Sequence, residues 1–128
     1  MKLLLDTHVF IWWFNEPEKL SKKALAACED NKNELTLSVA SIWEMQIKMQ
    51  LGKLRLTQSI KDLISTHQAT YDLQILPIFL NHILALDNLP VHHRDPFDRI
   101  LVAQASAERL VIVTKDQIFK EYTVQLFW

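Results

Sequence analysis

Hydrophobic and polar positions alternate along this chain in blocks that predict strands and helices in turn. Lys2 to Leu5 ends in three leucines, a short buried strand, and Asp6 closes it. An apolar helix follows from Val9 to Phe14, and Pro17 ends that segment. Ser21 stands as N-cap of a helix reaching about Glu29. Glu34 to Leu37 is a second strand, after which Ser38 caps a longer helix through Leu51, stopped by the only glycine, Gly52. Ser59 to Gln68 places Ile60, Leu63, Ile64 and His67 on one helical stripe. Leu73 to Ile78 reads as a third strand, held at an edge by Pro77. Phe79 to Leu86 is helical.

A polar connection, Pro90 to Arg94, then leads to Asp95-Pro96-Phe97-Asp98. Asp as N-cap, Pro at the first helical position and an acid in the first turn mark a helix start. That helix runs to Glu108 and is rich in small residues (Ala103, Ala105, Ser106, Ala107), which suits close packing on a sheet. Leu110 to Val113 is an unbroken apolar strand, Thr114-Lys115-Asp116 ends it, and a short helix and a strand from Thr123 to Leu126 follow. Strands alternating with helices, without hairpin signals, indicate an α/β fold with a parallel sheet of four to five strands covered on both faces.

Composition narrows the picture modestly. The 128 residues are one domain's worth of chain, and a hydrophobic fraction of 49% is ample for a core. Fourteen basic against fifteen acidic side chains leave a net charge of −1, so nucleic-acid binding by bulk charge is not indicated. Any polyanion contact needs a local basic patch or bound cations. The single cysteine, Cys28, excludes an internal disulfide framework and reads as a small packed side chain in a reducing compartment. Asp6 interrupts the first apolar run well short of the about 7–15 residues of a signal-peptide core. No run approaches the ~18 apolar residues of a membrane span, so the expected location is cytoplasmic.

Candidate chemistry comes from acids. In open α/β sheets ligands bind beyond the carboxyl ends of the strands. Asp6 and Asp116 each follow an apolar strand. Asp98 begins the helix that feeds the fourth strand, and so starts at the same edge. Glu44 lies about a turn and a half into the helix after the second strand, bordering the stripe Val39, Ile42, Trp43, Ile47, Leu51 taken as its core face. Singly, each acid has a structural explanation. Asp6, Asp95 and Asp116 can be N-caps, Asp98 complements a helix dipole, and Glu44 pairs with Lys48 four residues on. Together, anions at one rim repel unless they are protonated or bridged by cations. All-oxygen ligands favour Mg²⁺ or Mn²⁺ over zinc.

The motifs Leu3-Leu4-Leu5-Asp6-Thr7-His8, Ser41-Ile42-Trp43-Glu44, His93-Arg94-Asp95-Pro96-Phe97-Asp98-Arg99 and Val113-Thr114-Lys115-Asp116 resemble the four acidic motifs of PIN-domain proteins. More narrowly, they resemble the VapC-type toxin ribonucleases of toxin–antitoxin pairs. The match is ordered and spans nearly the whole chain.

The resemblance implies a Rossmann-like PIN fold and an endoribonuclease using Mg²⁺ or Mn²⁺. It also implies a homodimer and a cognate antitoxin protein that blocks the site. Asp6, Glu44, Asp98 and Asp116 fall on the family's acidic positions. Asp98 is preferred to Asp95 because the family's third acid stands just ahead of a small-residue helix, which leaves Asp95 as a cap or supporting group. Thr114 matches the family's hydroxyl residue two before the last acid and is expected to orient that loop.

Arg94, Arg99, Lys48 and Lys115 lie near the acids in sequence. They either guide an RNA backbone or are solvated charges balancing those acids. Adjacent His92 and His93 cannot easily face one ion, and His8 reads as a helix residue near the site. Trp12, Trp13 and Phe14 are too broad a run for one helical face, so part of it, with Phe127 and Trp128, is either a surface for a partner helix or further core.

A receiver domain would need a second acid beside Asp6 and would leave Glu44 without a role. A haloacid-dehalogenase phosphatase would need Asp where His8 stands. The remaining alternative is a catalytically silent PIN module that binds RNA or a protein partner.

Overall fold

The computed structural model describes residues 1–92 and 94–128; His93 lies outside the described residues. In chain order the elements are β1 (Lys2–Leu5), α1 (Thr7–Asn15), α2 (Lys22–Glu29), β2 (Glu34–Ser38), α3 (Val39–Gln50), α4 (Ile60–Tyr71), β3 (Gln74–Leu76), α5 (Leu80–Ala85), α6 (Pro96–Glu108), β4 (Val111–Val113) and β5 (Leu126–Phe127). Short 3₁₀ turns occupy Pro17–Lys19, Leu86–Asn88 and Gln117–Glu121.

The five strands form one sheet in the order β3-β2-β1-β4-β5, parallel throughout. The chain builds outward from β1 to β2 and β3, then returns to place β4 on β1's other side. The order therefore reverses between β1 and β4, where such sheets open a crevice at their carboxyl ends.

The run of leucines in β1 divides by the two-residue period of a strand. Leu3 and Leu5 enter a core with Val9, Phe10 and Trp13 of α1, Ala24 and Cys28 of α2, and Leu63 of α4. Leu4 turns to the other face, against Leu101, Val102 and Ala105 of α6 and Phe119. Both faces are thus covered by helices. His67 completes the α4 stripe as expected: it is buried, bonds the Leu63 carbonyl at 2.8 Å through Nδ1, and lies edge-on to Trp13 at 4.8 Å.

Serine caps behave as their positions predict. Ser21, Ser38 and Ser59 accept from the backbone N–H groups of Ala24, Ala40 and Asp62. α3 ends at Gln50 with Leu51 as its C-cap, and Gly52 follows with a φ of +70°, open to glycine at little cost.

Three expectations shift. β5 begins at Leu126 rather than Thr123, because its register is set by pairing to β4 (Ile112 opposite Leu126), and Tyr122 is first buried beneath the approaching chain. β3 shortens to Gln74–Leu76, stopping before Pro77, which has no N–H for the ladder. α3 turns a different face inward: Ala40, Ser41 and Met45 are buried, whereas Trp43 and Leu51 are 61% and 63% exposed. Small residues let α3 approach its neighbours closely, and Thr7 donates to Ser41 at 2.9 Å across the contact.

Candidate active site

Asp6 sits at the N-cap position of α1, yet its side chain makes no capping bond there. Its backbone N–H is held by the Val113 carbonyl at 3.1 Å, which fastens the end of β1 to the end of β4. Its carboxylate accepts from Thr114 Oγ1 at 2.8 Å. The same hydroxyl oxygen accepts from the backbone N–H of Asp116 at 3.0 Å. One threonine therefore orients the first acid and shapes the loop that carries the last. Asp6 is 4% exposed, and burial pushes its carboxyl above the usual range; Glu44 adds to this, while the Thr114 hydrogen bond, His8 and the Thr7 N–H oppose it.

Asp98 lies in the first turn of α6, half-buried. Its carboxyl is pushed up to about 8, first by burial and then by the negative charges of Asp95, Asp6, Glu44 and Asp116. Three of these acids come from segments distant from α6 in the sequence, and Asp95 is the helix's own N-cap. Glu44 reaches the same region from α3, its side chain 12% exposed and paired with Lys48 Nζ at 3.1 Å. Lys48 Nζ also lies 3.3 Å from His8 Nε2. Asp6 and Asp116 line an open cavity of about 240 Å³ with His8, Trp12 and Lys115.

Asp95 does act as a cap: its Oδ1 accepts from the N–H groups of Phe97 at 2.9 Å and Asp98 at 3.2 Å. Asp116 is exposed and caps the following 3₁₀ turn through Ile118 N–H at 3.0 Å. Arg99 is engaged elsewhere. Its guanidinium donates to the carbonyls of Pro90 at 2.9 Å and Leu89 at 3.4 Å, bracing the connection before α6. Arg94 and Lys115 are exposed. His92 lies 5.1 Å from Tyr122, and His93 is outside the described residues.

The acids at the rim offer carboxylate oxygens, which suit a hard divalent ion, while His8 Nε2 lies against Lys48 Nζ at 3.3 Å. Among the described residues no three His, Cys, Asp or Glu side chains form a closed metal-binding cluster. The acids sense one another across the crevice rather than gather at a point. Mg²⁺ retains several waters and requires few direct protein bonds, so a spread set of carboxylates matches its chemistry.

Cys28 and Trp13 are packed side chains, as expected. Cys28 is buried, its thiol pushed up to about 12 chiefly by burial, so it stays protonated and inert. Trp13 is core, while Trp12, Phe14, Phe127 and Trp128 are half-buried against it. The larger exposed apolar surface lies instead on Trp43 and on Leu80, Ile83 and Leu84 of α5, which a reading centred on the α1 aromatics missed. No helix among the described residues is long and apolar enough to cross a membrane.

The model of the PIN domain matches residues 3–124. The chain belongs to the PIN-domain family. This PIN domain is 28% identical over 127 residues to Ribonuclease VapC22 of Mycobacterium tuberculosis, covering 94% of the present chain and 91% of that protein. Among solved structures, it superposes on VapBC2 from Rickettsia felis, bound to a DNA fragment from its promoter, with a TM-score of 0.73 at 16% identity, covering 99% of this chain and 98% of that one. VapBC from Salmonella typhimurium, also bound to DNA, gives 0.68 at 13% identity, covering 99% and 97%. At those identities the likeness is one of fold. It bears out the Rossmann-like PIN architecture read from the motifs.

Proposed function

We propose that this PIN domain is a Mg²⁺- or Mn²⁺-dependent endoribonuclease and the toxin of a toxin–antitoxin pair. The observation that carries the reading is the acid-lined cavity at the crevice where the strand order reverses: Asp6 and Asp116 line it, Thr114 is bonded to both, and the charges of Asp6, Glu44 and Asp116 bear on Asp98. The relative that is named a ribonuclease supplies the substrate class. The VapBC complexes supply the partner class.

In this reading Asp6 and Asp98 hold the ion directly, and Glu44 and Asp116 complete its surroundings directly or through water. When bound there, a divalent ion would supply Lewis-acid polarisation of a phosphate and a more acidic water. The chain's own contribution is placement. Thr114 fixes the Asp6 carboxylate, β1 and β4 hold the crevice floor, and Lys48 balances Glu44 without filling the site. The exposed apolar side chains of α5 provide a surface of the kind a homodimer needs.

The test is incubation of the purified protein with single-stranded RNA and with DNA of the same sequence, in Mg²⁺, Mn²⁺ or chelator. Cleavage of RNA that requires the metal supports the reading. Cleavage that persists in chelator overturns it, and absence of any cleavage favours a silent binding module. A small reading frame found beside the gene, co-expressed with this chain and purified with it as a stable complex, would support the toxin role, and its absence or failure to bind would count against it.

A further inference from the structure

Beside the acids, on the far side of Trp12, lies a second cavity of about 390 Å³. It shares His8 and Trp12 with the acid-lined cavity, so the two are neighbours separated by these side chains. Its apolar side is Ile11 and Leu54, and its rim carries Lys48, Lys53 and Arg55.

The basic rim is built by the end of α3. Gly52, at φ +70°, reverses the chain, and Lys53 N–H closes the turn on the Lys48 carbonyl at 2.8 Å. Leu54 and Leu56 then pack onto the core, and Asn15 of α1 donates to the Arg55 carbonyl at 3.3 Å. The loop is thereby fastened to α1 with Lys53 and Arg55 exposed. Among the described residues neither makes an ion pair. Glu16, the acid of this groove, is already paired with Lys19 at 2.8 Å. Trp12 already meets Lys19 Nζ over its ring at 5.8 Å and the His8 ring at 5.8 Å. A half-buried indole among cations is the combination that binds single-stranded nucleic acid, with a base displacing Lys19 from the aromatic face and positive charge left for the backbone.

We infer that this groove is the subsite for the RNA nucleotide adjoining the scissile phosphate, with its base against Trp12 and its phosphate on Lys53 and Arg55. The inference rests on the ribonuclease reading and adds to it where the substrate strand leaves the acids. It also answers the charge objection, since the net charge of −1 conceals a local basic patch next to the carboxylates.

The experiment uses the full chain and a labelled single-stranded RNA of about 12 nucleotides, bound in chelator so that nothing is cut. The double variant Lys53→Glu/Arg55→Glu is expected to bind about tenfold or more weakly, and the log–log salt slope to fall by roughly 0.7, the amount for one phosphate no longer neutralised. In metal its KM rises while kcat holds. Trp12→Phe keeps a stacking face and binds nearly as wild type, whereas Trp12→Leu weakens binding about tenfold. The surface charge pair keeps the test independent of any folding defect at Trp12. Wild type that cuts RNA beside variants with unchanged affinity and KM overturns the subsite and leaves the ribonuclease standing. Wild type that neither binds nor cuts RNA removes both. Unchanged RNA affinity with loss of the co-purified antitoxin assigns the groove to a protein partner and overturns the inference.

Discussion

Thr114 donates its hydroxyl to Asp6 Oδ2 at 2.8 Å, joining two residues 108 positions apart in the sequence. The bond crosses from β4 to β1 at the point where the sheet order reverses. Burial raises the Asp6 carboxyl above its ordinary range, and the Thr114 hydroxyl offsets part of that rise.

Replacing Thr114 with valine keeps the shape and removes both bonds, to Asp6 and from Asp116 N–H. The expected loss is about 1–3 kcal/mol in urea unfolding, with a fall in kcat, because a buried acceptor and a loop N–H are left unmet. Thr114→Ser should restore most of both. Equal stability of the valine and serine variants would remove the hydroxyl from the account.

Asp98 sets a pH dependence. Its carboxyl titrates near pH 8 in the folded chain and near its ordinary value of 3.8 when unfolded. Below the lower value it is protonated in both states, and its contribution is fully present. As pH rises towards 8 the folded state alone retains the proton, so stability declines through that window and the contribution is gone above it. Metal-free protein should therefore melt at progressively lower temperature between about pH 4 and about pH 8, with a flatter profile in Asp98→Asn. Mn²⁺ added at the upper end should raise the wild-type melting temperature more than that of the variant. Parallel profiles for the two proteins would contradict the crowding of charge at this carboxyl.

His82 offers a control away from the acids. It is wholly buried, its Nδ1 accepts from Phe79 N–H at 3.0 Å, and Nε2 therefore carries the proton shared with Glu108 at 2.9 Å. It pins α5 to α6. His82→Leu is expected to cost about 1–3 kcal/mol in chemical unfolding by leaving polar partners unmet. Metal-dependent cleavage at moderate temperature should survive, and its loss in a folded variant would tie α5 to the site.

The parts legible in the sequence were those governed by local pattern. Leu3 to Leu5, Leu35 to Leu37 and Ile112 to Val113 announce strands by their apolar runs, and the Asp95-Pro96 pair marks the start of α6 by local chemistry alone. The positions of Asp6 after β1 and Asp98 in the first turn of α6 were legible because a strand end and a helix start are locally marked. What depends on tertiary approach was not legible. The inward face of α3 is chosen by how closely Ala40 and Ser41 meet their neighbours, so its bulkiest residue, Trp43, turns outward beside Phe97 at 5.2 Å. Arg99 has the charge and position to meet RNA, but carbonyls nine and ten residues earlier in the chain occupy it. Lys53 and Arg55 gain meaning only through the reversal at Gly52.

The most direct test of the carboxylate site is the rate of RNA cleavage as Mn²⁺ is raised, measured for wild type and for folded Asp6→Asn and Asp98→Asn. Wild type should saturate with Mn²⁺ and fall silent in chelator. Each variant should lose about 100-fold or more, as expected when a site that places charge at the reacting phosphate is dismantled. Full cleavage in chelator, or wild-type rates in both variants, would contradict the assignment.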